Sequence, residues 1–222
     1  MSPNSTKIVL FDIDHTLFNT RVYLLQCFAE LERLLASENK LNIKILAQEI
    51  YASQRKRAYF SPKAFSEELK LKVKTNQSLQ NIENVFYNEH HLEESLYKDT
   101  LPTLKKLSEQ NIALGIFSGG DKILQKKKLQ TLYHLLHQRL IYIFDRDKHE
   151  AIREVAALYK TQKLYVVDDL LSVLAQFKSA NQDICTIWIV RSEETRLKQN
   201  KIAFKADFVV NSLSDLLPIV AK

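Results

Sequence analysis

One short apolar run constrains this chain more than any other feature. Ile8 to Phe11 has the length and character of a buried strand, breaks into Asp12-Ile13-Asp14-His15-Thr16, and has no counterpart until residue 112. A buried strand needs partners for its backbone donors and acceptors. From Asp99 onward helical stretches alternate with apolar runs at residues 112–117, 140–144, 164–167, 184–190 and 208–210. That alternation predicts a parallel sheet with helices on both faces. The first strand must join this sheet, so the fold class is α/β with a Rossmann-like core. In such sheets ligands bind outside the carboxyl ends of the strands, and there the first strand carries two carboxylates.

The stretch between these two parts is helical in pattern. Val22, Leu24, Leu25, Phe28, Leu31, Leu34 and Leu35 recur at spacings of three and four, as one apolar stripe. Asn42 precedes a second helix through Ile43, Leu46, Ala47, Ile50 and Tyr51, ending near Arg55-Lys56-Arg57. Ser61-Pro62 opens a third through Phe65 and Leu69, as an N-cap followed by proline at the first helical position. A fourth runs from Ser78 to His91 with Leu79, Ile82, Val85 and Phe86 inward. The expected organisation is a core of residues 1–19 and 96–222 with an all-helical cap, 20–95, inserted as a lid over the carboxyl edge of the sheet.

Composition excludes several classes. No segment approaches the roughly 18 apolar residues of a membrane span, and the N-terminus lacks the pattern of a secretory signal. Cys27 and Cys185 give neither a disulfide framework nor a metal spacing, so a reducing cytoplasm is expected. The net charge of +6 raises nucleic acid as a partner, but the lysines are dispersed and the densest cluster, Lys126-Lys127-Lys128, is only 3 long. A solvated surface accounts for them, and a small anionic ligand needs few of them. The chain has 3 glycines and places two side by side, Gly119-Gly120, so backbone freedom is concentrated after one strand.

The chemistry-bearing residues fall at one edge. Asp12 and Asp14 follow the first strand, Ser118 with Gly119 and Gly120 the second, and Asp168 with Asp169 the fourth, while Lys148 begins the helix after the third. Carboxylates gathered in one crevice call for a hard cation, and Mg²⁺ takes one or two of them together with waters and substrate phosphate. Ser118 and the glycine N–H groups near a helix start suit phosphate oxygens. The reaction implied is aspartyl attack on phosphorus followed by hydrolysis of the aspartyl phosphate.

The order Asp-x-Asp-x-Thr, Ser, Lys, Asp-Asp resembles the haloacid dehalogenase (HAD) superfamily of aspartate-nucleophile phosphatases, from Val9 to Val190. Phe11-Asp-Ile-Asp-His-Thr-Leu17 carries the resemblance best, and the helical insert is similar to a C1-type cap. The resemblance implies that Asp12 is nucleophile and metal ligand, and that Asp14 is general acid/base with its backbone carbonyl on the metal. It further implies that Ser118, Gly119 and Lys148 bind the phosphoryl group, and that Asp168 and Asp169 serve Mg²⁺. Asp14 sets the phosphatases and phosphomutases apart from members that remove halide from carbon. His15 stands where glycine is commoner and reads as a turn residue, Val167 replaces a glycine, and Arg146 is the alternative to Lys148.

The cap would choose the substrate. Arg21 lies near the linker, and Tyr51, Arg55, Arg57 and Tyr59 cluster after the second helix, which suits an anionic ligand with a ring, such as a nucleotide or sugar phosphate. The expectation is an Mg²⁺-dependent phosphatase on a small phosphorylated metabolite, monomeric or homodimeric. A phosphomutase, and a catalytically weak HAD-like protein binding anions or nucleic acid, are the alternatives.

Overall fold

Strand β1 (Lys7–Phe11) is central because its side chains are apolar on both faces. Val9 and Phe11 enter one buried cluster and Ile8 and Leu10 another, as the two-residue period of a strand dictates. The computed structural model describes residues 7–35, 42–57, 59–145, 148–159, 161–199 and 201–221. Within them β1 is joined by β2 (Ala113–Gly119), β3 (Ile141–Phe144), β4 (Lys163–Asp168), β5 (Cys185–Ile189) and β6 (Phe208–Val210). All pairs are parallel, in the order β3-β2-β1-β4-β5-β6. The first strand thus joins the sheet, as the alternation required, and lies between the second and the fourth.

Helices cover both faces. Helices α6 (Thr100–Glu109) and α11 (Leu217–Val220) pack through Leu104, Leu107 and Val220 on the Val9 face. Helices α8 (Ile152–Leu158) and α9 (Leu171–Ala180) pack through Ile152, Val155, Leu174 and Phe177 on the Ile8 face. Asn111 ends the turn after α6 at φ 59°, a left-handed position that asparagine tolerates. Helix α7 (Lys122–Lys128) is short, because the chain tightens into a 3₁₀ turn over Gln130–Leu135. Helix α10 (Glu193–Gln199), which the sequence reading did not include, follows β5.

Among the described residues the insert between β1 and α6 holds five α-helices, not four: α1 (Thr20–Leu35), α2 (Ile43–Arg57), α3 (Pro62–Lys72), α4 (Leu79–Asn84) and α5 (Glu89–Glu94). The long fourth helix divides because Asn88 caps α5, its side chain accepting the His90 N–H at 3.1 Å. Helix α1 also turns differently from the expected stripe. Tyr23, Cys27, Phe28, Leu31 and Leu35 are buried, whereas Val22 and Leu25 are exposed. The polar-tipped Tyr23 takes the inward place because its hydroxyl donates to the buried Phe86 carbonyl at 2.6 Å. Leu79 is likewise exposed. The chain enters and leaves the insert by adjacent paths, with Phe18 bridged to Leu96 and the Asn19 N–H donating to the Ser95 carbonyl at 2.7 Å. No described helix is long and apolar enough to cross a membrane.

Candidate active site

Register brings the first carboxylates together. Phe11 pairs with Val167, and the Asp12 N–H donates to the Val167 carbonyl at 3.0 Å. Asp12 and Asp168 therefore leave adjacent strands at the same level, where the order of strands reverses. Asp12, Asp168 and Asp169 are all buried, and each offers a carboxylate oxygen within 4.8 Å of the others. Lys148, at the start of a 3₁₀ turn before α8, extends its Nζ to 2.7 Å from both Asp12 Oδ1 and Asp168 Oδ2.

One lysine cannot neutralise three carboxylates. Burial, aided by the neighbouring carboxylates, pushes Asp12 up to about 7 against the pull of Lys148. Burial and the charges of Asp168 and Asp12 push Asp169 well above the usual range. Lys148 itself is held protonated: burial would lower it, but Asp12 and Asp168 outweigh that. Asp168 is oriented by two partners, with Oδ2 on Lys148 and Oδ1 accepting the Leu170 N–H at 2.8 Å. Asp169 lines the adjacent cavity, and Asp168 does not. A hard divalent cation fits this donor set, since it takes carboxylate oxygens and cancels the charge excess that Lys148 leaves. Asp12, Asp168 and Asp169 could hold it, and of these Asp12 and Asp169 line the cavity.

Asp14 is drawn to a different set of partners. After Asp12 the chain folds into a tight turn in which Leu17 N–H and Phe18 N–H both donate to the Ile13 carbonyl, at 3.0 and 2.9 Å. His15 completes it at φ 59°. Arg191 braces the turn, donating to the Thr16 carbonyl at 2.7 Å and to both oxygens of Asp99 at 2.8 and 3.1 Å. The Asp14 carboxylate accepts Lys128 Nζ at 2.6 Å, Gln125 Nε2 at 2.7 Å and the Thr20 hydroxyl. Burial would raise its pKa, but the Lys128 charge and these hydrogen bonds hold it well below the usual carboxylate range. Lys128 in turn lies 4.9 Å from the centre of the Phe18 ring and 5.8 Å from that of Tyr23.

Thr20, Gln125 and Lys128 were missed by the sequence reading. Gln125 and Lys128 sit three apart on α7 and both are buried, so Lys128 is not part of a solvated lysine cluster. Asp121 caps that helix, accepting the N–H groups of Ile123 and Leu124 at 3.0 Å.

The phosphate-binding candidates are placed unequally. Gly119, Gly120, Lys148, Asp12 and Asp14 all line one cavity of about 170 Å³. Ser118 is buried at the end of β2 but does not line it, and its hydroxyl has no partner among the described residues. The Gly120 N–H, at φ 145°, is taken by the Phe144 carbonyl at 2.8 Å, so it is not open to an anion as the sequence suggested. From the insert, Thr20, Tyr23, Tyr51, Arg55, Tyr59 and Phe60 complete the walls. Arg21 does not reach the cavity; it is exposed and lies 3.8 Å from Glu194. Arg57 ends α2, and its side chain, like the whole of Arg146, lies outside the described residues.

Comparison with known proteins agrees with this geometry. Residues 6–172 match the family model described as haloacid dehalogenase-like hydrolase. A structure described as a haloacid dehalogenase-like hydrolase from Burkholderia xenovorans LB400 superposes with a TM-score of 0.79 at 22% identity, covering 97% of each chain. The HAD-hydrolase YfnB from Bacillus subtilis, bound to magnesium, gives 0.64 at 16% identity, over 96% of this chain and 98% of that one. A HAD phosphatase from Thermococcus onnurineus gives 0.56 at 25% identity, over 96% and 97%. Other matching structures are described as dehalogenases. Among curated proteins none matches. With a buried aspartate-lysine centre at the carboxyl edge of the sheet and a family match over most of its length, the chain belongs to the haloacid dehalogenase-like hydrolases.

Proposed function

We propose that the protein is an Mg²⁺-dependent phosphatase that hydrolyses a small phosphomonoester through an aspartyl phosphate on Asp12. The observation that carries this reading is the second carboxylate, Asp14, lining the same cavity as Asp12. Displacing halide from carbon needs no proton donor, whereas a departing alkoxide does.

Asp12 attacks phosphorus while Lys148, 2.7 Å away, holds its carboxylate in place and offsets the approaching charge. Asp12 and Asp169 would hold Mg²⁺, which would supply the charge neutralisation that lets an anionic nucleophile meet an anionic phosphoryl group. Asp168 orients Lys148 from the far side. In the free protein Asp14 is a carboxylate fixed by Lys128, Gln125 and Thr20. The arrival of phosphate dianion in the cavity raises its proton affinity, since a like charge favours the neutral form. It takes up a proton from solvent, passes it to the leaving oxygen and, as carboxylate again, takes a proton from the water that attacks the aspartyl phosphate.

The cavity's size supports a small substrate. An apolar cavity of about 150 Å³ accommodates benzene, so about 170 Å³ holds a phosphoryl group and a few further atoms. Arg55 at its rim suits an anionic leaving group. The test is release of p-nitrophenol from p-nitrophenyl phosphate by wild type and Asp12→Asn, with Mg²⁺ and with chelator. Metal-dependent release that falls by about 10³-fold or more in Asp12→Asn is expected. Release that is equal in the two proteins, or indifferent to metal, would exclude the reading.

A further inference from the structure

We propose that Tyr59, carried by the insert, is a further phosphoryl-binding residue: its hydroxyl donates to an oxygen of the group bound between Gly119 and Lys148. The inference rests on the phosphatase reading and adds to it a contact made by the insert.

Tyr59 and its neighbour divide their tasks. Phe60 is buried among the rings of Tyr51, Phe65 and Phe86, with centroids 5.2, 5.7 and 5.1 Å away. That anchor leaves Tyr59 directed at the sheet, over Gly119. The Tyr59 hydroxyl lies so close over Gly119 that a Cβ there would collide with it and would stand 2.6 Å from Cζ. A residue with any side chain at position 119 would therefore displace the ring. The same oxygen accepts the Lys148 backbone N–H at 3.4 Å. Arg55 lies over the ring, with Cζ 5.6 Å from its centroid.

The hydroxyl thus stands between two elements that line the cavity with Asp12. A phenol both accepts and donates. The accepting side is used by Lys148, and no acceptor for the proton is found among the described residues. A phosphoryl oxygen in the cavity would supply one. Because that oxygen belongs to the group common to every substrate, Tyr59 acts on all phosphomonoesters alike, unlike a residue that selects the leaving group.

The experiment compares wild type, Tyr59→Phe and Gly119→Ala in the full chain with Mg²⁺. It measures inhibition by inorganic phosphate, KM and kcat for p-nitrophenyl phosphate and for an aliphatic phosphomonoester, and the melting temperature. Tyr59→Phe is expected to melt as wild type does and to bind inorganic phosphate about tenfold more weakly, the loss of one hydrogen bond to a charged group. Its kcat/KM should fall by a similar factor for both esters, and Gly119→Ala should reproduce the weakened phosphate binding. Phosphate binding in Tyr59→Phe as tight as in wild type, or tighter, overturns the inference while leaving the phosphatase reading intact. A loss confined to one ester also overturns it. A wild type that neither binds phosphate nor turns over either ester overturns the phosphatase reading, and this inference with it.

Discussion

Lys148 is the residue on which the charge balance of the site turns. Its ammonium is buried between Asp12 and Asp168, and removing one partner of a buried ion pair costs about 3–5 kcal/mol because the remaining charge is left uncompensated. Lys148→Met is therefore expected to lower stability by that order in metal-free protein, measured by urea denaturation at about pH 8. The loss should shrink at lower pH. The folded-state pKa of Asp12, about 7, lies above its unfolded value of 3.8, so the folded chain keeps a proton that the unfolded chain has already lost. Stability from this carboxyl is thus present below about pH 4, falls as pH rises to about 7, and then levels off. Without Lys148 the cluster ionises still less readily, so Mg²⁺ should recover part of the loss at about pH 8 and little at about pH 5.

At the scale of elements, the two chain paths into and out of the insert behave as one joint. Besides the Phe18–Leu96 bridge, the Leu17 carbonyl accepts the Tyr97 N–H at 3.1 Å and the Thr100 hydroxyl at 2.8 Å. Thr100 is fully buried at the start of α6. Thr100→Val keeps the shape and removes the donor, with an expected destabilisation of about 1–3 kcal/mol in chemical denaturation. The elements themselves were legible where one force dominated. Helix α2 runs to Arg57 as its periodicity indicates, and β1 joins the sheet as its hydrophobicity demands. Legibility failed where a polar side chain had a hidden partner. Tyr23 displaces aliphatic residues from the inner face of α1 through the Phe86 carbonyl, and Asn88 divides a helix that periodicity alone continues. In the site, Asp12, Lys148, Asp168 and Asp169 could be read from their positions after strands. Lys128 could not, because its partner Asp14 lies 114 positions away and the two meet only once α7 has packed beside the first turn.

At the scale of the molecule, one apolar cluster joins the insert to a face of the sheet. Phe28, Phe65 and Phe86 belong to the same continuous core as Val9, Phe11 and Val167. The insert is therefore expected to unfold together with the sheet. The chain has 1 tryptophan, Trp188, on β5, so its fluorescence reports the sheet while far-UV circular dichroism reports chiefly the helices. Phe65→Ala, a cavity in the insert costing about 3–5 kcal/mol, should shift both signals to the same lower midpoint. Separate midpoints would mean that the insert folds on its own.

The central claim is that Asp12 carries the phosphoryl group. The most direct measurement is an acid quench during turnover of a phosphomonoester with Mg²⁺, followed by peptide mass analysis. The expected result is a phosphoryl adduct on the peptide containing Asp12, mapped to that residue and absent in Asp12→Asn. Turnover with no adduct at Asp12, or with the adduct on another side chain, would contradict it.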